Sequence, residues 1–84
     1  MKSSVIVTVG SRNKEFPDYD MEIPLNVFAE KLLLDIVEAV CMYNSNVRIT
    51  PEYRSIYCER LNRSLKNNET FGSAGIWNGD RIYI

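Results

Sequence analysis

The 84-residue chain predicts a single α+β domain spanning residues 1–84, a mixed sheet of four to five strands wrapped over one main helix. Three stretches carry that prediction. "SVIVTVG" near the start is β-branched and alternating. "VFAEKLLLDIVEAV" repeats apolar residues at steps of three and four. "NGDRIYI" at the end reads as a turn feeding a short apolar strand. A chain of this length buries roughly 60–65% of the surface that its unfolded form exposes, enough for one modest core.

The elements follow in order. Val5, Val7 and Val9 alternate with Ile6 and Thr8 in a first strand, which Lys2, Ser3 and Ser4 begin. "GSRNKEFPD" is dense in turn formers and connects to a second strand, "DYDMEI". There Tyr19, Met21 and Ile23 point one way and Asp18, Asp20 and Glu22 the other, a half-buried strand with one wet acidic face. Pro24 ends it. Asn26 is placed to cap a helix from about Val27 to Met42, because its side-chain oxygen can accept a first-turn amide. Phe28 or Ala29, then Leu32, Leu33, Ile36, Val37 and Val40, form the apolar stripe, and "YNSN" stops the helix.

The second half alternates again. In "RSIYCER", Ile56 and Cys58 face one side, Tyr57 and Glu59 the other. "LNR" reads as a tight turn, with Asn62 able to take a positive φ. Ser64 and Leu65 form a very short strand, "KNNETFGSAGI" is loop or 3₁₀ turn, and Arg81 to Ile84 is the last strand, with Ile82 and Ile84 inward and Tyr83 outward. Two hairpin-like halves flanking one helix are most economically joined as a sheet whose first and last strands lie parallel at the centre. This is the β-grasp, or ubiquitin-like, arrangement.

Composition narrows the chemistry. The net charge is −1, whereas a dedicated nucleic-acid binder needs a basic excess for phosphate contacts. No apolar run reaches the roughly 20 residues that span a bilayer. The apolar start is too short for a secretion signal, and Arg12 and Lys14 follow it, so a cytoplasmic protein without membrane insertion is expected. Cys41 and Cys58 do not form a CxxC and are expected as free thiols. The chain has no histidine, the commonest general base and metal ligand. Asp18, Asp20 and Glu22 could hold a cation, but their alternation with apolar residues accounts for them as the solvent side of a strand. No glycine-rich loop precedes a helix, so no phosphate cradle is encoded. Catalytic, cofactor and metal sites are therefore all expected to be absent. Trp77, beside the Asn-Gly turn, reads as half-covered packing over the helix end, with a partner anchor as the other option.

Two stretches resemble a known family. "MEIPLNVFAEKLLLDIVEAV", a strand ending in Ile-Pro before a capped amphipathic helix, and "TFGSAGIWNGDRIYI", an isoleucine before Asn-Gly-Asp and a last apolar strand, resemble the small ubiquitin-like proteins of the YukD/EsaB family of type VII (WXG-type) secretion loci. Together they cover a little under half of the chain, and they are more specific for the fold than for the system. The resemblance implies a non-enzymatic accessory protein. It would dock onto a membrane-bound secretion component, such as the secretion ATPase or the kinase-like subunit.

The remaining route to function is surface recognition. Tyr57 and Tyr83 point outward by parity on strands expected to be adjacent, and Arg63, after the turn, is expected to border them. Aromatic residues with an arginine are common interface anchors, while an ordinary cross-strand aromatic pair on a wet face accounts for them equally well. A homodimer through a sheet edge or the tyrosine face is a further option. Two rivals stand beside the secretion reading: a ubiquitin-like adaptor outside secretion, and a carrier or modifier. Modifiers and sulfur carriers of this fold end in a flexible Gly-Gly arm that enters a narrow enzyme channel. This sequence ends "RIYI", so a protein that is neither conjugated nor a sulfur carrier is expected.

Overall fold

The computed structural model describes residues 3–84, so the expected start of the first strand at Lys2 lies outside the described residues. Five strands and two helices follow one another: β1 (Ser4–Gly10), β2 (Tyr19–Pro24), α1 (Ala29–Tyr43), β3 (Tyr57–Cys58), β4 (Arg63–Ser64), α2 (Phe71–Ala74) and β5 (Arg81–Tyr83). They form one five-stranded sheet in the order β2-β1-β5-β3-β4. β1 pairs antiparallel with β2 and parallel with β5, while β3 pairs antiparallel with both β5 and β4. The parallel central pair is the one expected from the sequence.

The alternation in each strand decides which side chains reach the core. Val5, Val7 and Val9 of β1 and Met21 and Ile23 of β2 are buried, as are Ile56, Cys58, Ile82 and Ile84. They share one cluster with Ala29, Leu32, Ile36, Val37 and Val40 of α1. Ala29 rather than Phe28 opens the helical stripe, since Phe28 stays exposed. Phe71, on the single turn of α2, is completely buried, and burying a phenylalanine contributes about 1.5–3 kcal/mol.

The start of α1 departs from expectation. Asn26 is not the cap. Phe28 holds that position in an extended conformation, with no side-chain cap bond, and bridges to Thr70. The free amides of the first turn are instead met by main-chain oxygens. Ala29 N–H donates to the Glu69 carbonyl at 2.7 Å and Glu30 N–H to the Asn67 carbonyl at 3.2 Å, while Lys31 and Leu32 both donate to Phe28. A side-chain cap has nothing left to satisfy there. At the other end Asn44 N–H returns to the Val40 carbonyl, and its side chain accepts the Asn46 amide in an Asx turn.

Residues 70–74 also differ from the expected loop or 3₁₀ turn. Thr70 and Ser73 form a reciprocal capping box around a single α-turn, and Gly75 closes it in the left-handed region at φ 78°. Asn62 takes the positive φ expected of its turn, 55°.

Candidate functional site

Residues with even numbers in β1 face outward, and the same face continues across the sheet. Tyr57 stands directly opposite Tyr83, and Tyr83 lies beside Gly10 of β1. A Cβ added at Gly10 would come within 3.1 Å of the Tyr83 ring and 2.9 Å of Asp18, so glycine is what lets that ring lie flat on β1. Both phenols are engaged. Tyr83 donates to Glu59 at 2.8 Å and Tyr57 donates to Asn62. The Glu59 carboxylate pushes the Tyr83 pKa up, as does desolvation, so this phenol is a protonated donor at neutral pH.

Arg63 does not border the tyrosines. It stands opposite Cys58, whose side chain is buried, and its guanidinium makes a two-point pair with Glu69 at 2.8 and 2.9 Å. The arginine beside the pair is Arg12, from the β1–β2 connection. Its guanidinium carbon lies 5.1 Å from the Tyr57 ring centroid, in the range of a cation–π contact. Its Nη2 donates to Ser55 and Ser64. Parity in the sequence carried the signal. Ser4, Ile6, Thr8 and Gly10 face outward, and Arg12 continues the series because its amide still bonds the sheet through the Ile84 carbonyl at 3.0 Å.

The rest of the face is polar and internally bonded. Arg81 donates to Asp18 at 2.6 Å, Thr8 to Asp20 at 2.7 Å and Ser4 to Glu22 at 2.6 Å. The acidic strip is thus shared among three separate partners instead of converging on one point. Among the described residues no group of three potential metal ligands comes together. Ile6 is the one large apolar side chain exposed in β1.

Next to this face, the turn ending in Asp80 is sewn onto β1. Ile6 N–H donates to the Asn78 side chain at 2.9 Å, Gly79 N–H to the Ile6 carbonyl at 2.8 Å, and Thr8 N–H to the Asp80 carbonyl at 2.9 Å. Trp77 does not lie half-covered over a helix end. It is exposed, with the Arg60 guanidinium 3.8 Å above its ring. Just past β5, Ile84 is buried and its amide bonds the Gly10 carbonyl at 3.1 Å, so it too is tied to β1.

The chain has the ubiquitin-like β-grasp fold. A protein designed de novo on the basis of ubiquitin superposes on 99% of the chain, over 88% of its own length, with a TM-score of 0.72 at 13% identity. The ubiquitin of Caldiarchaeum subterraneum matches 95% of the chain over 89% of its own, with a TM-score of 0.68 at 18% identity. A chain of the ESX-5 inner membrane complex matches 98% of the chain with a TM-score of 0.70 at 14% identity. Only 20% of that longer chain is covered, so there the ubiquitin-like unit forms one part of a larger subunit. At these identities the likeness is one of fold. No family model and no curated protein matches the chain. Among the described residues, no helix of this ubiquitin-like domain is long and apolar enough to cross a membrane.

Proposed function

We propose that this ubiquitin-like domain is a non-enzymatic accessory protein of a bacterial type VII secretion system. It docks in the cytoplasm onto a membrane-bound component of the machinery through the sheet face that carries Tyr57, Tyr83 and Arg12. The observation that carries the reading is the match of nearly the whole chain to part of an ESX-5 inner membrane complex. Its sequence resemblance to the YukD/EsaB proteins points the same way. Chemistry by contact suits the face itself: two fixed aromatic rings, an arginine and a bonded polar surround are the ingredients of a protein interface.

The reading is tested by affinity capture of the tagged protein from its native host, beside the Tyr57→Ala/Tyr83→Ala variant. Recovery of a membrane-bound secretion component with the native protein, and its loss with the variant, is expected. Capture of no secretion component, together with unchanged export in a deletion strain, would overturn it.

A further inference from the structure

One edge of the sheet is open. Among the described residues β2 pairs with β1 alone, and the hydrogen bonding of β1 shows which backbone groups of β2 are left over. The N–H and C=O of Ile6 and the N–H of Thr8 are spent on the Asn78–Asp80 turn, on the β5 side, where Thr8 also pairs with Arg81. Their β2 partners, Glu22 and Asp20, therefore sit in non-hydrogen-bonded pairs. The N–H and C=O groups of Asp20 and Glu22 point away from β1, and among the described residues none meets a backbone partner. Such a row is a template for another strand.

A groove runs beside this edge, between β2 and α1. Met21, Ile23, Leu32 and Ile36 form its apolar floor, and Glu22 and Asp35 stand on its rim. A strand added to β2 must share its period of two. Residues opposite Asp20 and Glu22 lie on the outer face against carboxylates, and the residues between them lie over the groove. On the helix side the rim carries Asp35, whose carboxylate is paired with Lys31 at 2.6 Å.

We propose that the β2 edge and the groove beside it receive an extended protein segment of alternating apolar and basic residues, added to the sheet as a further strand. The apolar side chains enter the groove, the cations meet Asp20 and Glu22, and the main chain pairs with the open edge. The same carboxylates exclude a second copy of the chain. Antiparallel self-pairing would bring Asp20 and Glu22 against their own counterparts, and like charges directly opposite are destabilising. Asp20 and Glu22 stand at the far margin of the sheet face that carries Tyr57 and Tyr83, whereas the groove lies on its helix side, and the proposal does not depend on the secretion reading.

The test is a nuclear magnetic resonance titration of the isotope-labelled protein with three synthetic peptides: Val and Lys alternating, the same composition in separate Val and Lys blocks, and Val and Glu alternating. Saturable shifts centred on the Asp20 and Glu22 amides are expected with the first, and binding at least about tenfold weaker with the other two. Asp20→Lys/Glu22→Lys reverses the Lys-over-Glu preference. Glu22→Pro removes an edge N–H and weakens the first peptide by about tenfold or more. The comparison of peptides on the native protein stands whether or not the variants fold. Equal binding of the block peptide, shifts centred elsewhere, or a dimer paired through β2 at neutral pH would overturn the proposal.

Discussion

Asp80 and Arg60 meet in a two-point ion pair, Nε to Oδ1 at 2.8 Å and Nη2 to Oδ2 at 2.9 Å, and Asp80 Oδ2 also accepts the Trp77 amide at 2.8 Å. Asp80 is the buried charged residue of the described core, and Arg60 covers it while stacking on Trp77. Asp80→Ala leaves the Trp77 amide and the Arg60 fork without their acceptor. It is expected to lower stability by about 2 kcal/mol, which for a domain of this size moves Tm by roughly 8–15 °C. Asp80→Asn keeps an acceptor for Trp77 and is expected to cost about half as much. Urea denaturation of both variants measures the difference.

The same pair makes the fold acid-sensitive, and Glu69 adds to this. The Arg60 bonds hold the Asp80 carboxyl below its usual range; burial opposes them and the Trp77 amide assists them. Glu69 is lowered to about 2, first by Arg63 and then by the Lys66 amide. A carboxyl whose folded pKa is depressed contributes stability above its unfolded value and loses it as pH falls through the folded one. Stability is therefore expected to be level from neutral pH to about 5 and to fall between about 4.5 and 2. Glu69 also places the loop whose carbonyls cap α1. Glu69→Gln should flatten part of the acid limb and speed hydrogen exchange at Ala29 and Glu30. An unchanged pH profile would refute the role given to this carboxylate.

Gly79 sits at φ 85° in the turn that ties Asp80 to β1, with open space where a Cβ would go. Gly79→Ala meets no clash, so its cost is conformational, about 1 kcal/mol. Gly79→Asn should cost less, because asparagine tolerates the left-handed region. Thermal melts of the two variants rank them.

Cys58 is fully buried under the sheet, and Cys41 is partly exposed, its thiol 3.7 Å from the Ile49 carbonyl. Reactivity follows exposure of the thiolate. A thiol reagent should label Cys41 quickly in the native protein and Cys58 only in denaturant. Rapid double labelling of the native protein would contradict the packing described for β3.

Much of this architecture is written in local pattern. The period of two in Val5 to Val9 and Met21 to Ile23, and the helical stripe of Leu32, Ile36, Val37 and Val40, each place their residues on the buried side, with Leu33 only partly buried at its margin. What local pattern missed is tertiary. Asn26 has the right side chain for a cap, but the carbonyls of Asn67 and Glu69 reach the helix amides first. The α-turn at Phe71 forms because a capping box and a buried ring support four residues that propensity alone would not hold. Arg63 was nearer the tyrosines in sequence, yet its opposition to the inward-facing Cys58 and its bond to Glu69 turn it away. Arg12 reaches Tyr57 from a connection 45 positions earlier.

The proposed docking of a secretion component on the face around Tyr57 and Tyr83 predicts a contact at position 57. A photo-reactive amino acid placed at position 57 in the native host tests it most directly, with position 34 on the exposed side of α1 as the control. Light-dependent attachment to a membrane-bound secretion component from position 57, and not from position 34, is the expected result. Attachment from position 34 alone, or from neither position, would contradict it.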